Sequence, residues 1–333
     1  MKVIALLRLV LPLALLLALA PAGADTPAAV PGERSISEWL QRMHEASRRR
    51  AYIGTLVVSS GGAMSSARVW HVCDGRQQME RVEALTGTPR STFRRNDEVI
   101  TFSPQSRVAV VEKRESLGLF PQLLKVVDAA IDQHYGASTQ GSERVAGFEA
   151  DVVQLQPRDG LRFGYRIWSE KKTGLMLKLQ TLDAQGRVLE QVAFSELQLD
   201  APVSMDKLKR MMSDTDGYKL ETPALVKTTP QAEGWRLAQE VPGFRPMSCY
   251  RRPAPAGGEA LQWVFSDGLA TVSLFIEPYD PRRHVQEGQQ AMGATHALVQ
   301  RGRGAGAAWW LTLVGEVPAQ TLQAFAQGLE RLP

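Results

Sequence analysis

The sequence has few of the residues that build metal, redox or catalytic centres. It contains two cysteines, Cys73 and Cys249, whose separation excludes CxxC and every other local metal or redox spacing. Five histidines are scattered without an HExxH motif or a metal-like cluster. We therefore expect no metal and no cofactor. The histidines are His44, His71, His134, His284 and His296.

Short matches to catalytic motifs do not form a complete set. Lys172-Thr173-Gly174 reads KTG, and both Ser169 and Ser204 begin an SxxK match, as in penicillin-binding enzymes. There the nucleophile motif precedes the KTG strand, whereas Ser169 overlaps it and Ser204 follows it. Asn96 is the single asparagine, so no Ser-x-Asn motif can intervene. We therefore expect that the protein is not an enzyme, although a pair of distant carboxylates could still form a catalytic site that no motif reveals.

The chain also has little excess charge. The formal net charge is +4 at pH 7 and falls to +2 once Lys2 and Arg8 are removed with the N-terminal segment described below. So small a surplus argues against nucleic acid as the main ligand. Basic pairs such as Arg251-Arg252 are more often solvated surface than phosphate sites. Only clustering in three dimensions could change that expectation.

The one long apolar run lies at the N-terminus. Lys2 and Arg8 precede apolar residues from Leu9 to Ala20, and the small residues Ala22-Gly23-Ala24 follow. This order is typical of a cleaved secretory signal peptide over residues 1–24. A transmembrane anchor is the alternative, but the run is shorter than the ~20 residues that span a bilayer. A lipoprotein would need cysteine as the first mature residue, where this chain has Asp25.

A secreted chain can form disulfides, so the two cysteines leave two readings open. An oxidising compartment would allow Cys73 and Cys249 to pair. They fall in different predicted domains, however, and the alternative is two buried thiols that act as small apolar residues. The mature chain of 309 residues is long enough for two domains, each with its own core.

The first predicted domain covers residues 35–212. Ser35 and Glu38 form a capping box, and apolar residues follow at helical spacing to about Arg49. From Tyr52 the period changes to two, which predicts antiparallel strands joined by hairpins. The predicted strands are Tyr52–Ser59, Ala67–Cys73, Gln78–Ala84, Glu98–Phe102, Val108–Glu112, Glu149–Gln156, Leu161–Ser169, Leu175–Leu182 and Val188–Leu199. Such a meander with a few helices favours an α+β fold, a strongly curved antiparallel sheet with helices on its concave face.

A mixed apolar stretch interrupts this meander. It is too apolar for an ordinary surface loop and is broken by Gly118 and Pro121. One interpretation is the mobile border of a cavity, and a plain core helix is an equally good account of the pattern. The residues concerned are Leu117, Leu119, Phe120, Leu123 and Leu124.

Beyond a short predicted helix at Ser204–Met212 the chain changes character. Residues 213–233 are polar, contain Pro223 and Pro230, and read as a linker. A smaller α/β domain is predicted over residues 234–333, in which arginine alone supplies positive charge. Its predicted strands are Ala260–Phe265, Leu269–Ile276, Ala294–Val299 and Ala308–Val314, and its closing helix begins at Pro318.

Two strings in the C-terminal part carry a specific resemblance. They are VFSDGLATVSLF at residues 264–275 and VGEVPAQT at residues 314–321. The N-terminal part agrees at WLQRM (39–43), at Arg158-Asp159-Gly160 with Tyr165 and Trp168 downstream, and at Leu182-Asp183 with Gly186 and Leu189-Glu190-Gln191. Taken together, in one order along nearly the whole mature chain, they resemble the MucB/RseB family of sigma-E regulators.

The resemblance implies an N-terminal half-open barrel around an apolar cavity, like that of LolA/LolB lipoprotein carriers, followed by a smaller C-terminal domain. It implies a periplasmic negative regulator of envelope stress. Such a protein binds the periplasmic part of a membrane-anchored RseA/MucA-like anti-sigma factor and shields it from a site-1 protease. Release is expected to be triggered by lipid or lipopolysaccharide acyl chains. A lipid or lipoprotein carrier is the second hypothesis, and a hydrolase with an unrecognised site is the third.

The resemblance also assigns candidate site residues. Trp168 joins the five apolar residues between 117 and 124 as a candidate for the lipid cavity. The densest matching string nominates Ser266, Asp267, Gly268, Leu269 and Phe275 for partner binding. An ordinary turn explains Asp267-Gly268 about as well as binding does. The C-terminal domain favours the regulator over the carrier, since a plain carrier does not need it. A homo-oligomer is left open.

Overall fold

The computed structural model describes residues 34–113, 131–254, 257–302 and 308–332. Four helices lie in these ranges: α1 (Ile36–Arg49), α2 (Ile131–His134), α3 (Met205–Ser213) and α4 (Ala319–Gly328). The predicted starts of α1 and α4 and the short helix predicted at Ser204–Met212 are confirmed. Ser35 and Glu38 form the capping box of α1, Ser204 caps α3, and Pro318 precedes α4.

Twelve strands form one sheet, called here the large sheet, in the order β12-β6-β5-β4-β3-β2-β1-β11-β10-β9-β8-β7. All neighbours are antiparallel except β12 and β6, which are parallel. The strands are β1 (Tyr52–Ser60), β2 (Ala63–Cys73), β3 (Gln78–Ala84), β4 (Ser91–Arg95), β5 (Glu98–Ser103), β6 (Val108–Lys113), β7 (Tyr135–Val145), β8 (Phe148–Pro157), β9 (Gly164–Glu170), β10 (Met176–Leu182), β11 (Val188–Leu199) and β12 (Lys219–Glu221).

Seven strands form the small sheet, in the order β13-β15-β16-β17-β20-β19-β18, and two more form a separate pair, β14 with β21. The strands are β13 (Val226–Lys227), β14 (Trp235–Leu237), β15 (Arg245–Pro253), β16 (Glu259–Ser266), β17 (Thr271–Pro278), β18 (Gly288–Met292), β19 (Thr295–Gly302), β20 (Trp309–Gly315) and β21 (Leu329–Arg331). Every pairing in the small sheet is antiparallel. The part predicted as a small α/β domain thus consists mostly of antiparallel strands, joined mainly by short hairpins that need no crossover helix, with α4 as its closing helix.

The architecture is mostly β with few helices. The large sheet runs in a linear order from β12 to β7, and these end strands do not pair with each other in the described ranges. The sheet is thus not closed. Two strands that the sequence pattern did not predict, β4 and β7, complete it, and the predicted linker contributes β12 and β13 to the two sheets.

Helix α1 packs on the large sheet through the apolar face that its sequence predicts. Trp39, Leu40 and Met43 are buried together with Tyr165 and Ile167 of β9. Burial of a row of side chains at helical spacing, and not helix propensity, supplies most of the stability of a 14-residue helix. Among the described residues, no helix combines the length and the hydropathy needed to cross a membrane.

Candidate functional site

The lipid-cavity candidates Leu117, Leu119, Phe120, Leu123 and Leu124 lie outside the described residues, so their role stays a prediction. The sixth candidate for the lipid cavity, Trp168, lies within the described range 131–254.

Trp168 lies on β9 with its indole ring enclosed, at 2 % exposure. Its Nε1 donates a hydrogen bond of 2.8 Å to Glu143, and the Lys178 ammonium lies 4.0 Å from the ring centroid. Burial beside this ring lowers the pKa of Lys178, against the opposing effect of Glu143. These contacts describe a packed core position, and a role in lipid binding stays a prediction.

The partner-binding candidates 266–269 form a tight turn between β16 and β17. The Asp267 carboxylate accepts hydrogen bonds from the backbone N–H groups of Leu269 (2.9 Å) and Ala270 (2.8 Å) through Oδ1. Ser266 Oγ accepts from the Gly268 N–H at 3.0 Å. Gly268 has a φ of 98°, in the region that favours glycine. The sequence Ser-Asp-Gly thus builds the turn locally.

The second oxygen of Asp267 is used inside the molecule. Oδ2 accepts hydrogen bonds from Arg162 Nε at 2.8 Å and from the Tyr135 hydroxyl at 3.1 Å. The side chains of Arg162 and Asp267 are both fully buried. Removing Arg162 would leave the buried Asp267 carboxylate without an ion-pair partner, which is strongly destabilising.

Arg162 makes further contacts that hold its guanidinium in one position. It pairs with Asp159 and donates to the carbonyl oxygen of Pro242. Its Cζ lies 4.9 Å from the ring centroid of Phe244. Sequence reasoning did not single out Arg162; the only signal was its position just after the Arg158-Asp159-Gly160 string.

The Arg162–Asp267 pair lies at the junction between the large sheet and the small sheet, and Leu269 adds apolar contact there. Its side chain is 2 % exposed and belongs to the cluster of Trp39, Leu40 and Tyr135. A partner could reach Asp267 or Leu269 only after the turn had left this position. The structure therefore gives both residues a role within the chain, and their part in partner binding stays a prediction.

Phe275 lies elsewhere, on the face of the small sheet opposite its apolar core. Its neighbours on β17, Leu274 and Ile276, are buried in the core, whereas Phe275 is half-buried. The Arg252 guanidinium lies 5.8 Å from its ring centroid. Of the five candidates, Phe275 is the large side chain that faces away from both the junction and the core.

Helix α4 contributes to the same junction between the two sheets. Thr321 Oγ1 donates a 2.7 Å hydrogen bond to the carbonyl oxygen of Leu161, and the Gln320 side chain donates to that of Gly160. His296 of β19 meets the ring of Phe163 edge-on, with centroids 5.6 Å apart. Burial lowers the pKa of His296, which favours its neutral form.

The Glu316 carboxylate lies in a setting that disfavours its charged form. Burial raises the pKa of Glu316, and the charge of Glu190 raises it further. Glu316 lies between β20 and α4, and Glu190 lies on β11 of the large sheet.

The KTG match is a hairpin turn between β9 and β10. Thr173 donates to Glu170 Oε2 from its backbone N–H and its hydroxyl, and Ser169 Oγ donates to the Gly174 carbonyl oxygen. Within the described ranges no group of three or more His, Cys, Asp or Glu side chains is placed to hold a metal. Cys73 and Cys249 are free thiols, so they do not pair here, and burial raises the pKa of Cys249 to about 11.

Comparison with known proteins covers almost the whole described chain. The family model of the MucB/RseB N-terminal domain matches residues 35–212, and that of the MucB/RseB C-terminal domain matches residues 229–330. The sigma factor AlgU regulatory protein MucB of Pseudomonas aeruginosa is 28% identical over 304 residues, which cover 90% of this chain and 92% of that one. The sigma-E factor regulatory protein RseB of Escherichia coli K12 is 24% identical over 300 residues, covering 87% and 89%.

Solved structures agree. The P. aeruginosa MucA/MucB complex contains a chain that is 26% identical, with a TM-score of 0.72 over 90% of this chain and 99% of that one. A structure of MucB in complex with MucA(peri) is 25% identical, with a TM-score of 0.71 over 90% and 100%.

Proposed function

Because the chain belongs to the MucB/RseB family, we propose that it binds the periplasmic part of a membrane-anchored MucA/RseA-type anti-sigma factor and thereby acts as a negative regulator of a sigma-E-type envelope-stress response. The observation that carries this proposal is the agreement in fold, along 90% of the chain, with MucB solved in complex with MucA.

The proposed regulator acts by occupancy and needs no catalytic group. A bound anti-sigma factor is shielded from its site-1 protease, so cleavage depends on the unbound fraction. At a free regulator concentration about 100 times the Kd, about 1% of the substrate is unbound and cleavage slows about a hundredfold.

A protection assay tests this function. The mature protein, residues 25–333, is titrated into a reaction of a site-1 protease with the periplasmic domain of the same organism's MucA/RseA-type protein. We expect the cleavage rate to fall in proportion to the bound fraction measured separately by calorimetry. Cleavage that is unaffected at saturating regulator contradicts the proposal, and so does cleavage by the regulator alone.

We further propose that the large sheet forms the half-open barrel of the LolA/LolB type and that a lipid acyl chain in its cavity triggers release. Burying about five CH₂ groups is worth about 4 kcal/mol, roughly a thousandfold in affinity. Lipid would therefore release the partner only if it bound the released state better than the bound state.

Lipid titration into the preformed complex separates this regulator from the alternative, a periplasmic lipid or lipoprotein carrier. Lipopolysaccharide is expected to weaken anti-sigma binding, whereas a plain carrier would move labelled lipid between vesicles and leave partner binding unchanged. Equal partner affinity with and without lipopolysaccharide would contradict lipid-triggered release.

The remaining expectations are part of the same proposal. Residues 1–24 would be a cleaved signal peptide that delivers the protein to the periplasm. Residues 35–212 and 234–333 would be two domains joined by residues 213–233, a division supported by the family-model boundaries. The C-terminal domain would make the main partner contact, and among the candidates Phe275 is oriented best to take part.

A further inference from the structure

The small sheet ends in an edge strand that is open along its length. β18 pairs with β19 through a regular antiparallel register, and no strand pairs with its other side in the described ranges. All five of its residues are exposed, and the apolar side chain of Met292 is 72% exposed. A strand of this kind presents unpaired N–H and C=O groups to a second chain.

The other ends of the two sheets carry the features that normally prevent such pairing. β13 has two residues and includes Lys227, and β12 (Lys219–Glu221) has three residues, two of them charged. β7 carries Glu143 and Arg144 and an irregular register. β18, by contrast, contains no charged residue, no proline and no bulge. Its open edge is therefore unprotected against a pairing partner.

The register shows which backbone groups are available. Gly293 and Ala294 form a two-residue hairpin turn, and Met292 pairs with Thr295 across it. The pair next to such a turn is hydrogen-bonded, and the pattern alternates along the ladder. The N–H and C=O groups of Gln289 and Ala291 therefore point toward the open edge. The turn lies close against β1, since a Cβ added at Gly293 would collide with Ser60.

A cavity opens beside this edge, between β18, β19 and helix α4. Its volume is about 130 Å³. A cavity of roughly 150 Å³ accommodates a benzene molecule, so this one has room for a single apolar side chain. Its walls include Gln289, Ala291, His296, Leu298, Ala319 and Leu322.

We propose that an extended segment of the anti-sigma partner adds to β18 as a further antiparallel strand and inserts one Leu-, Ile-, Met- or Phe-sized side chain into this cavity. This inference rests on the proposed function. Main-chain pairing supplies affinity in such additions, and a pocket for alternate side chains supplies specificity.

A second copy of this chain fits the edge less well. Gln289 and Ala291 lie opposite Leu298 and His296 in the register, so they share the cavity-side face of β18. A copy of β18 would thus offer a polar side chain and a methyl group to the cavity. Neither fills an apolar space of this size.

Two variants of the mature full-length protein test the edge and the cavity separately. Gln289→Pro removes an outward N–H, which an edge strand tolerates. Ala319→Phe places an aromatic ring in the cavity. Their matched controls are Gln289→Thr, which keeps the N–H, and Gln323→Phe, on an exposed position of the same helix. Binding to the periplasmic domain of the organism's own MucA/RseA-type protein is measured by calorimetry.

We expect each test variant to bind about tenfold or more weakly and each control to stay within about twofold of the original protein. If the test variants bind the anti-sigma domain as well as the original protein does, the inference is overturned and the proposed function stands. Original protein that does not bind at all overturns both. If the original protein forms a dimer that Gln289→Pro loses while anti-sigma binding is unchanged, the edge binds a second copy of this chain. That result also overturns the inference.

Hydrogen exchange on the unsubstituted protein covers the case in which Gln289→Pro does not fold. The amides of Gln289 and Ala291 should exchange more slowly when the anti-sigma domain is bound. Unchanged exchange across Gly288–Met292 in the saturated complex overturns the inference.

Discussion

Arg162 and Asp267 form an ion pair with both side chains fully buried, and this sets the largest effect expected at the scale of single residues. Asp267→Asn keeps the shape but removes the fully buried one of the two carboxylates that pair with Arg162. We expect a loss of about 3–5 kcal/mol in the free energy of unfolding, measured by urea denaturation and circular dichroism.

The exposed pair Arg236–Glu330 provides the control for that variant. Both side chains are about half exposed, so Glu330→Gln should change the free energy of unfolding by less than about 1 kcal/mol. If Asp267→Asn is as mild as Glu330→Gln, the buried pair does not hold the junction in solution.

Glu316 gives a residue-scale prediction on pH. Its pKa is raised above the ordinary 4.5 by burial and by Glu190. The folded protein therefore holds this proton more tightly than the unfolded chain does, so Glu316 lowers stability as pH rises from about 4.5 through its folded pKa. Glu316→Gln should be more stable than the original protein at pH 7, and the difference should vanish near pH 4. Thermal unfolding across that range measures it, and an equal difference at both pH values would contradict it.

At the scale of elements, α1 is held by its buried side. Met43 is 1% exposed in the cluster with Trp39 and Leu40, whereas Gln41 is exposed. Met43→Ala should lower the free energy of unfolding by about 2–5 kcal/mol, because it removes buried contacts and leaves a cavity. Gln41→Ala on the same helix should change it by less than about 0.5 kcal/mol. Similar effects of the two variants in urea denaturation would show that α1 is not docked.

At the scale of the whole molecule, the two sheets share side chains. Leu269 of the β16–β17 turn belongs to the cluster around α1, and Leu161, just before β9, packs against the core of the small sheet. We expect a single calorimetric transition, with equal calorimetric and van't Hoff enthalpies, because neither part unfolds without exposing the other's contacts. Two resolved transitions would contradict this coupling.

The same sharing affects how partner binding should be mapped. Deleting residues 231–333 would abolish binding if the C-terminal part makes the main contact. It would also strip Asp267 from Arg162 and Leu269 from its cluster. Loss of binding in the truncated protein would then not identify the contact surface. Point substitutions at Gln289 or Ala319 leave Arg162 and Asp267 unchanged and therefore test the contact surface better.

Local pattern alone predicted much of this protein. The capping box of α1, the short helix α3, the start of α4 after Pro318 and most of the strands follow from local pattern and turn residues, which act between neighbours in sequence. The resemblance of residues 264–275 in the C-terminal part indicated the family.

Tertiary structure alone decided where the candidate residues lie. Asp267 and Leu269 look like exposed turn residues because a turn dipeptide is normally at the surface, yet their partners Arg162 and Tyr135 are more than 100 positions away. No local pattern encodes such a contact. The open edge of β18 is likewise a property of strand order, since every strand has the same backbone groups and only the assembled sheet determines which of them remain unpaired.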